Sequence, residues 1–142
     1  MIIDMDDTIA PYHSTALSEN MNLLKELIEQ DWKIAIYSNR RKTERYNNIE
    51  AIWIPIIITE FAKPDMRWFQ RALEELHWFQ KETVMIGDNY ITDGGSINAW
   101  IDFIKVAPIA RTDTMTIGYF FQDIFRSIAD KIAIHRGDLI YK

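Results

Sequence analysis

Four aspartates define the chemistry open to this sequence. Asp4 and Asp6 stand in the run Asp4-Met5-Asp6-Asp7-Thr8, and Asp88 and Asp93 frame a second acidic segment that follows Gly87. Between these pairs lie Ser38-Asn39 and Lys63-Pro64. A carboxylate can attack phosphorus to form an acyl-phosphate, provided that a metal and fixed donors offset the repulsion between the two anions. On that reading Asp4 is the nucleophile, and Asp6 protonates the leaving oxygen and later activates water. Lys63 neutralises charge on the nucleophile and on the phosphoryl group in flight. Asp4, Asp6, Asp88 and Asp93 are the candidate ligands of a hard, oxygen-seeking cation, with magnesium expected. Thr8, Ser38, Asn39 and Arg40 are the candidate substrate-binding residues, Ser38 donating to phosphoryl oxygens together with backbone amides. Each piece alone has an ordinary explanation: aspartates cap helices and form turns, and Ser-Asn is common loop chemistry. Four such pieces in order, each ending a predicted strand, favour the catalytic reading.

The elements that must position these residues can be read from the apolar pattern. Short runs at Met1 to Met5, Lys33 to Tyr37, Ile54 to Thr59, Thr83 to Ile86 and Phe103 to Val106 have strand length and no clean alternation, as strands of a parallel sheet covered on both faces should. Helical spacing fills the gaps. Ser18 is the expected N-cap of a helix carrying Met21, Leu24, Leu27 and Ile28 on one face, and Asp65 opens another with Phe69, Ala72, Leu73 and Leu76 in register. Alternating strand and helix predict an α/β fold, a doubly wound parallel sheet with ligands at the carboxyl ends of its strands. Beyond the last strand, Ile117, Phe120, Phe121, Ile124, Phe125 and Ile128 form a helical stripe, read as docking against the sheet in preference to a membrane-surface helix because the polar face is not cationic. Trp53, Trp68 and Trp78 are expected in the core or at its margins.

Bulk composition narrows the classes. The chain has 142 residues, 48% hydrophobic and 26% charged, which suits one globular domain spanning 1–142. A net charge of -5 gives no general attraction to nucleic acid or to an anionic membrane. There are no cysteines, so thiolate chemistry and disulfides are excluded. No apolar run approaches the roughly 18 residues of a membrane span, and the start lacks the pattern of a signal peptide. A cytoplasmic protein is expected, peripheral at a membrane if it touches one. Arg40, Arg41, Lys42 and Arg45 form the one dense basic cluster, a candidate grip for a second phosphate or an anionic surface.

The motifs are also recognisable together. Asp4-Met5-Asp6-Asp7-Thr8, the serine of Ile36-Tyr37-Ser38-Asn39-Arg40, the lysine of Ala62-Lys63-Pro64-Asp65 and the segment from Gly87 to Asp93 resemble, in order, the four motifs of haloacid dehalogenase phosphatases, over residues 1 to about 106. Longer stretches, Ile2 to Tyr12, Ala62 to Leu76 and Val84 to Asp93, resemble the YqeG-like subclass IIIA phosphatases, relatives of the phosphatidylglycerophosphate phosphatases. The resemblance implies a Rossmann-like core, an aspartyl-phosphate mechanism, magnesium, and a glycerophospholipid phosphate monoester as leading substrate. The chain departs from that branch in the few residues ahead of Asp4, in Gly118-Tyr119 where an Asn-Arg pair is common, and in Trp100 where a glycine is common. The intervals Thr8 to Ser38 and Ser38 to Lys63 leave no room for a cap domain. An open site favours substrates that cover it themselves, such as a lipid headgroup or a macromolecule. The alternatives are a capless phosphatase of a phosphoprotein, sugar phosphate or nucleotide, and a non-catalytic binding module on the same fold.

Overall fold

The computed structural model describes residues 1–39, 43–109, 125, 127, 128 and 130–134. Five short strands form one sheet: β1 (Ile2–Asp4), β2 (Ala35–Tyr37), β3 (Ile56–Ile57), β4 (Val84–Gly87) and β5 (Asp102–Lys105). Their order is β3-β2-β1-β4-β5, and every pairing is parallel. The expected fold class is therefore observed. The chain leaves β1 for β2 and β3 on one side and returns to β4 and β5 on the other, so β1 lies at the topological switch point where such sheets bind ligands.

Because strand side chains alternate, neighbouring residues of one strand feed two cores. Ile3 and Ile36 join Met21 and Leu24 of helix α1 (Ser18–Glu29) and Ile49 of the short helix α2 (Asn47–Glu50). Ile2, Ala35 and Tyr37 point the other way, to Trp68, Phe69, Ala72 and Leu73 of helix α3 (Met66–Leu76). Both faces are thus covered, which explains why the strands read as unbroken apolar runs.

Helix boundaries follow local chemistry. Asp65 caps α3 by accepting the Arg67 amide at 2.9 Å, and the helix ends where His77 turns left-handed. Ser18 is not the cap of α1. It is the first helical residue, Leu17 occupies the cap position, and no side chain bonds the free amides there. Trp68 is fully buried and Trp78 packs at the edge of the same core, but Trp53 is 93% exposed. The turn that closes α2 places Trp53 in a left-handed conformation, with its amide bonded to Glu50, and faces its ring outward.

Of the C-terminal stripe, Ile117, Phe120, Phe121 and Ile124 lie outside the described residues, as does Gly118-Tyr119. Phe125 and Ile128 are helical and more than half or nearly half exposed. Farther along, Asp130 pairs with Lys105 of β5 at 2.8 Å, and Ala133 is buried. Among the described residues no helix is long and apolar enough to cross a membrane.

Candidate active site

Asp4 is the last residue of β1, and the chain turns sharply after it. The amides of Ile9 and Ala10 both donate to the Met5 carbonyl, Asp7 adopts φ 59°, and its amide bonds Ala10. This tight loop brings Asp6 and Asp7 back to the rim of the same cavity that Asp4 lines. β4 delivers the second pair of carboxylates. Gly87 ends the strand because a Cβ there would lie 2.2 Å from Asp93 Oδ2, so only glycine lets that carboxylate sit beneath the strand end. Asp93 opens a 3-10 segment (Asp93–Ala99) and is held by the Asn89 amide at 3.1 Å. Asp4, Asp88 and Asp93 are all buried, and each offers a carboxylate oxygen within 4.8 Å of the others.

Lys63 enters from the loop after β3 and places its ammonium between two members of this cluster. Nζ donates to Asp4 Oδ1 at 2.5 Å and also to Asp93 Oδ1. It lies 3.9 Å from the centroid of the Tyr37 ring, which stacks on Trp68. An aromatic face thus lies against the buried ammonium itself. Burial opposes the charge on Lys63, but the adjacent Asp4 and Asp93 carboxylates outweigh it and raise its pKa. Asp4 is pulled both ways. Burial raises its carboxyl, Lys63 draws it down, and the charges of Asp93 and Asp88 raise it again, for a net position of about 8.

Two of the side chains expected to hold substrate also join the motifs to one another. Thr8 Oγ1 accepts the Asp88 amide at 3.1 Å, fastening the β1 loop to the β4 loop. Asn39 Oδ1 accepts both the Tyr37 hydroxyl at 2.9 Å and the Lys63 amide at 2.8 Å. Asn39 still lines the cavity, whereas Thr8 and buried Ser38 do not. Asp6 also lines it, but its carboxylate is not part of the metal-like cluster. Asp6 Oδ1 accepts the His13 amide at 3.1 Å and the Arg45 guanidinium at 2.7 Å. Arg45, one of the four residues of the basic cluster, is therefore engaged at the site. Arg40, Arg41 and Lys42 lie outside the described residues.

The cavity, about 160 Å³, is lined by Asp4, Asp6, Asp7, Asn39 and Lys63 on one side and by Asp88, Asn89 and Thr92 on the other. Residues 4–106 match the family described as haloacid dehalogenase-like hydrolase. The chain belongs to this family. A relative named "Probable phosphatase YqeG" from Bacillus subtilis (strain 168) is 29% identical over 116 residues, 80% of this chain and 66% of that protein, so the match spans slightly less than two thirds of the relative. The cobalt-bound deoxy-D-mannose-octulosonate 8-phosphate phosphatase from Haemophilus influenzae superposes with a TM-score of 0.60 at 15% identity, covering 96% of this chain and 87% of that one. An uncharacterized protein from Listeria monocytogenes serotype 4b gives 0.60 at 19%, covering 81% and 83%. At these identities the two structures share the fold of this haloacid dehalogenase-like hydrolase and nothing finer.

The donor set of this haloacid dehalogenase-like hydrolase fits a divalent cation. Three buried carboxylates, Asp4, Asp88 and Asp93, face a single buried ammonium, that of Lys63, so the cluster in its charged form retains an excess of negative charge. All the donors are hard oxygens. Sequence reasoning passed over Asp7, Tyr12, Asn89 and Thr92, which line the cavity, and Arg45's contact with Asp6. Asp7 carried a signal, as a third acid in one short run; Tyr12, Asn89 and Thr92 carried none.

Proposed function

We propose that this protein is a magnesium-dependent phosphomonoester hydrolase that forms an aspartyl-phosphate on Asp4. The observation that carries the reading is the buried Asp4 carboxylate held at 2.5 Å by Lys63 inside a three-carboxylate cluster, at the switch point of the sheet. A scaffold or binding module gains nothing from that costly burial of charge. The name of the Bacillus relative agrees with it. An oxygen of Asp4 attacks phosphorus as the ester P–O bond breaks, and Asp6 gives its proton to the leaving oxygen. Water then attacks the phosphorus of the acyl-phosphate, Asp6 accepts its proton, and phosphate leaves with Asp4 regenerated. Magnesium bound by Asp4, Asp88 and Asp93 would supply positive charge against the phosphate and the attacking carboxylate. Lys63 supplies the protein's own share of that charge, and Ser38, with backbone amides at the ends of β1 and β2, is the reading's donor to phosphoryl oxygens.

Among the described residues only α1 and β2 separate Asp4 from Ser38, and only short helical turns and β3 separate Ser38 from Lys63. With no cap to close over a small cavity, the substrate itself must shield the reaction from water. That favours a headgroup at a lipid surface, with phosphatidylglycerophosphate the leading substrate and subclass IIIA the branch, acting from the cytoplasmic side as a peripheral enzyme. The test is phosphate release from phosphatidylglycerophosphate in mixed micelles, beside a phosphopeptide, sugar phosphates and nucleotides, with and without magnesium. Magnesium-dependent turnover fastest on the lipid, and lost in Asp4→Asn, is expected. Turnover that survives Asp4→Asn overturns the mechanism, and faster turnover of a soluble ester overturns the substrate.

A further inference from the structure

We propose that Arg45 is the positioning residue of the acid–base carboxylate, fixing the orientation of the Asp6 carboxyl group at the cavity. The inference rests on the reading of Asp6 as general acid and base. Arg45 lies in the 3-10 turn Glu44–Tyr46, far along the chain from β1, yet its Nη2 reaches Asp6 Oδ1 at 2.7 Å. The pair is sheltered, with side-chain exposures of 10% for Arg45 and 19% for Asp6. Its guanidinium lies 5.4 Å from the ring centroid of Tyr46, which is itself fully buried in the core beside Ile49. The guanidinium is therefore fixed to the packed interior and not to a mobile surface.

Two observations separate this contact from an incidental ion pair. The His13 amide donates to the same oxygen, Oδ1, so two donors converge on one side of the carboxyl group. Held by these two donors, the carboxyl group of Asp6 is fixed in its plane and in its direction relative to the cavity. The second observation is what the placement costs. Nε and Nη1 of Arg45 are buried with no hydrogen-bond partner, an arrangement that detracts from stability and that an arginine serving only to pack or to solubilise would avoid. Its one strong polar bond goes to the residue assigned the proton transfer.

The decisive experiment is a double-mutant cycle on the magnesium-loaded enzyme, using glycerol phosphate and 4-nitrophenyl phosphate. Arg45→Met is expected to lower kcat on the alkyl ester on the order of 10²-fold, the scale of a misplaced catalytic group, with KM unchanged within about twofold. The nitrophenyl ester, whose leaving oxygen needs less help from an acid, should lose less. Arg45→Lys should recover part of the rate. In an Asp6→Asn background Arg45→Met should cost nothing further, because the group it positions is already disabled. Full additivity of the two losses, equal losses on the two esters, or an unaltered rate in Arg45→Met would each overturn the proposal. Thermal unfolding accompanies each variant, and if Arg45→Met does not fold, the same cycle with Arg45→Lys decides. If Asp6→Asn alone leaves the alkyl ester rate intact, the general-acid reading fails. If Asp6→Asn is slow and Arg45→Met is not, only the role of Arg45 fails.

Discussion

Replacing Lys63 by methionine keeps the length of the side chain and removes its charge. Lys63 is the ammonium that bonds both Asp4 and Asp93, and its side chain is 3% exposed. Removing one partner from a buried ion pair strands the other, a loss of about 3–5 kcal/mol. The carboxylates can escape part of that penalty by taking up protons, since burial and the neighbouring acids already hold Asp4 at about 8 against the downward pull of Lys63, and removing Lys63 raises it further. A protonated Asp4 cannot attack phosphorus. The rate loss therefore combines a disabled nucleophile with a missing electrostatic contact, and a fall in kcat of at least 10²–10³-fold is expected, the scale found when one such donor is deleted. Urea unfolding at neutral pH in chelator should show the stability loss, and magnesium should restore part of it by compensating the same charges. Lys63→Arg should not rescue activity, because Nζ serves Asp4 and Asp93 as a compact point charge in a buried space, and the larger planar guanidinium presents its donors in a different geometry. A Lys63→Met protein as stable as the parent in chelator, and within tenfold of its rate, would show that this account of the charge balance is wrong.

Three further outcomes can be checked. Asp88→Asn should raise the magnesium concentration for half-activation by on the order of tenfold or more, read from a metal titration, because an amide is a poorer ligand for a hard dication; an unchanged titration removes Asp88 from the metal site. Gly87→Ala should cost about 1–3 kcal/mol by overpacking and weaken magnesium activation as well, since the new Cβ meets the Asp93 carboxylate; a stability loss with an unaltered titration would mean that Asp93 does not bind metal. In chelator the folded state holds the Asp4 proton more tightly than the unfolded chain, whose value is 3.8, so this group's contribution to stability falls as pH rises from about 4 to about 8. Magnesium binds the ionised form and should flatten or reverse that slope; melting curves with the same pH profile in chelator and in magnesium would contradict it.

Much of the frame could be read from the sequence because it depends on local pattern. β1 and β4 lie where the apolar runs placed them, and the acids that follow them fall at the strand ends. Asp65 caps its helix as its type and place suggested, while Ser18 misled by one residue because a serine at a helix start can serve inside the first turn as well as before it. What could not be read was set by neighbours distant in the chain. Thr8 and Asn39 are short polar residues beside a phosphate-binding motif, and their sequence context cannot say whether the partner is a ligand or another loop's amide. Arg45 read as one member of a basic run; its engagement with Asp6 depends on where the turn after β2 comes to rest. Trp53 carries the hydrophobicity of a core residue, but a left-handed turn faces it outward.

The bonds that assemble the site are almost all non-local. Lys63 to Asp4 closes 59 residues of chain, Lys63 to Asp93 closes 30, Asn39 to Lys63 closes 24, and Asp88 to Thr8 closes 80. No pair of them can form from one contiguous helix or hairpin, and each loop must be closed before its bond contributes. The four acidic and basic groups thus come together only when strands from both halves of the sheet lie side by side. Affinity for a metal at this cluster would in this sense be a property of the completed topology: a nascent chain that has not yet produced β4 has Asp4 but lacks Asp88 and Asp93, and a partly opened state that separates β1 from β4 would part the three carboxylates. On the proposed reading, turnover would report on the integrity of the whole sheet, because Asp4, Lys63, Asp88 and Asp93 are together only in a chain that has finished folding.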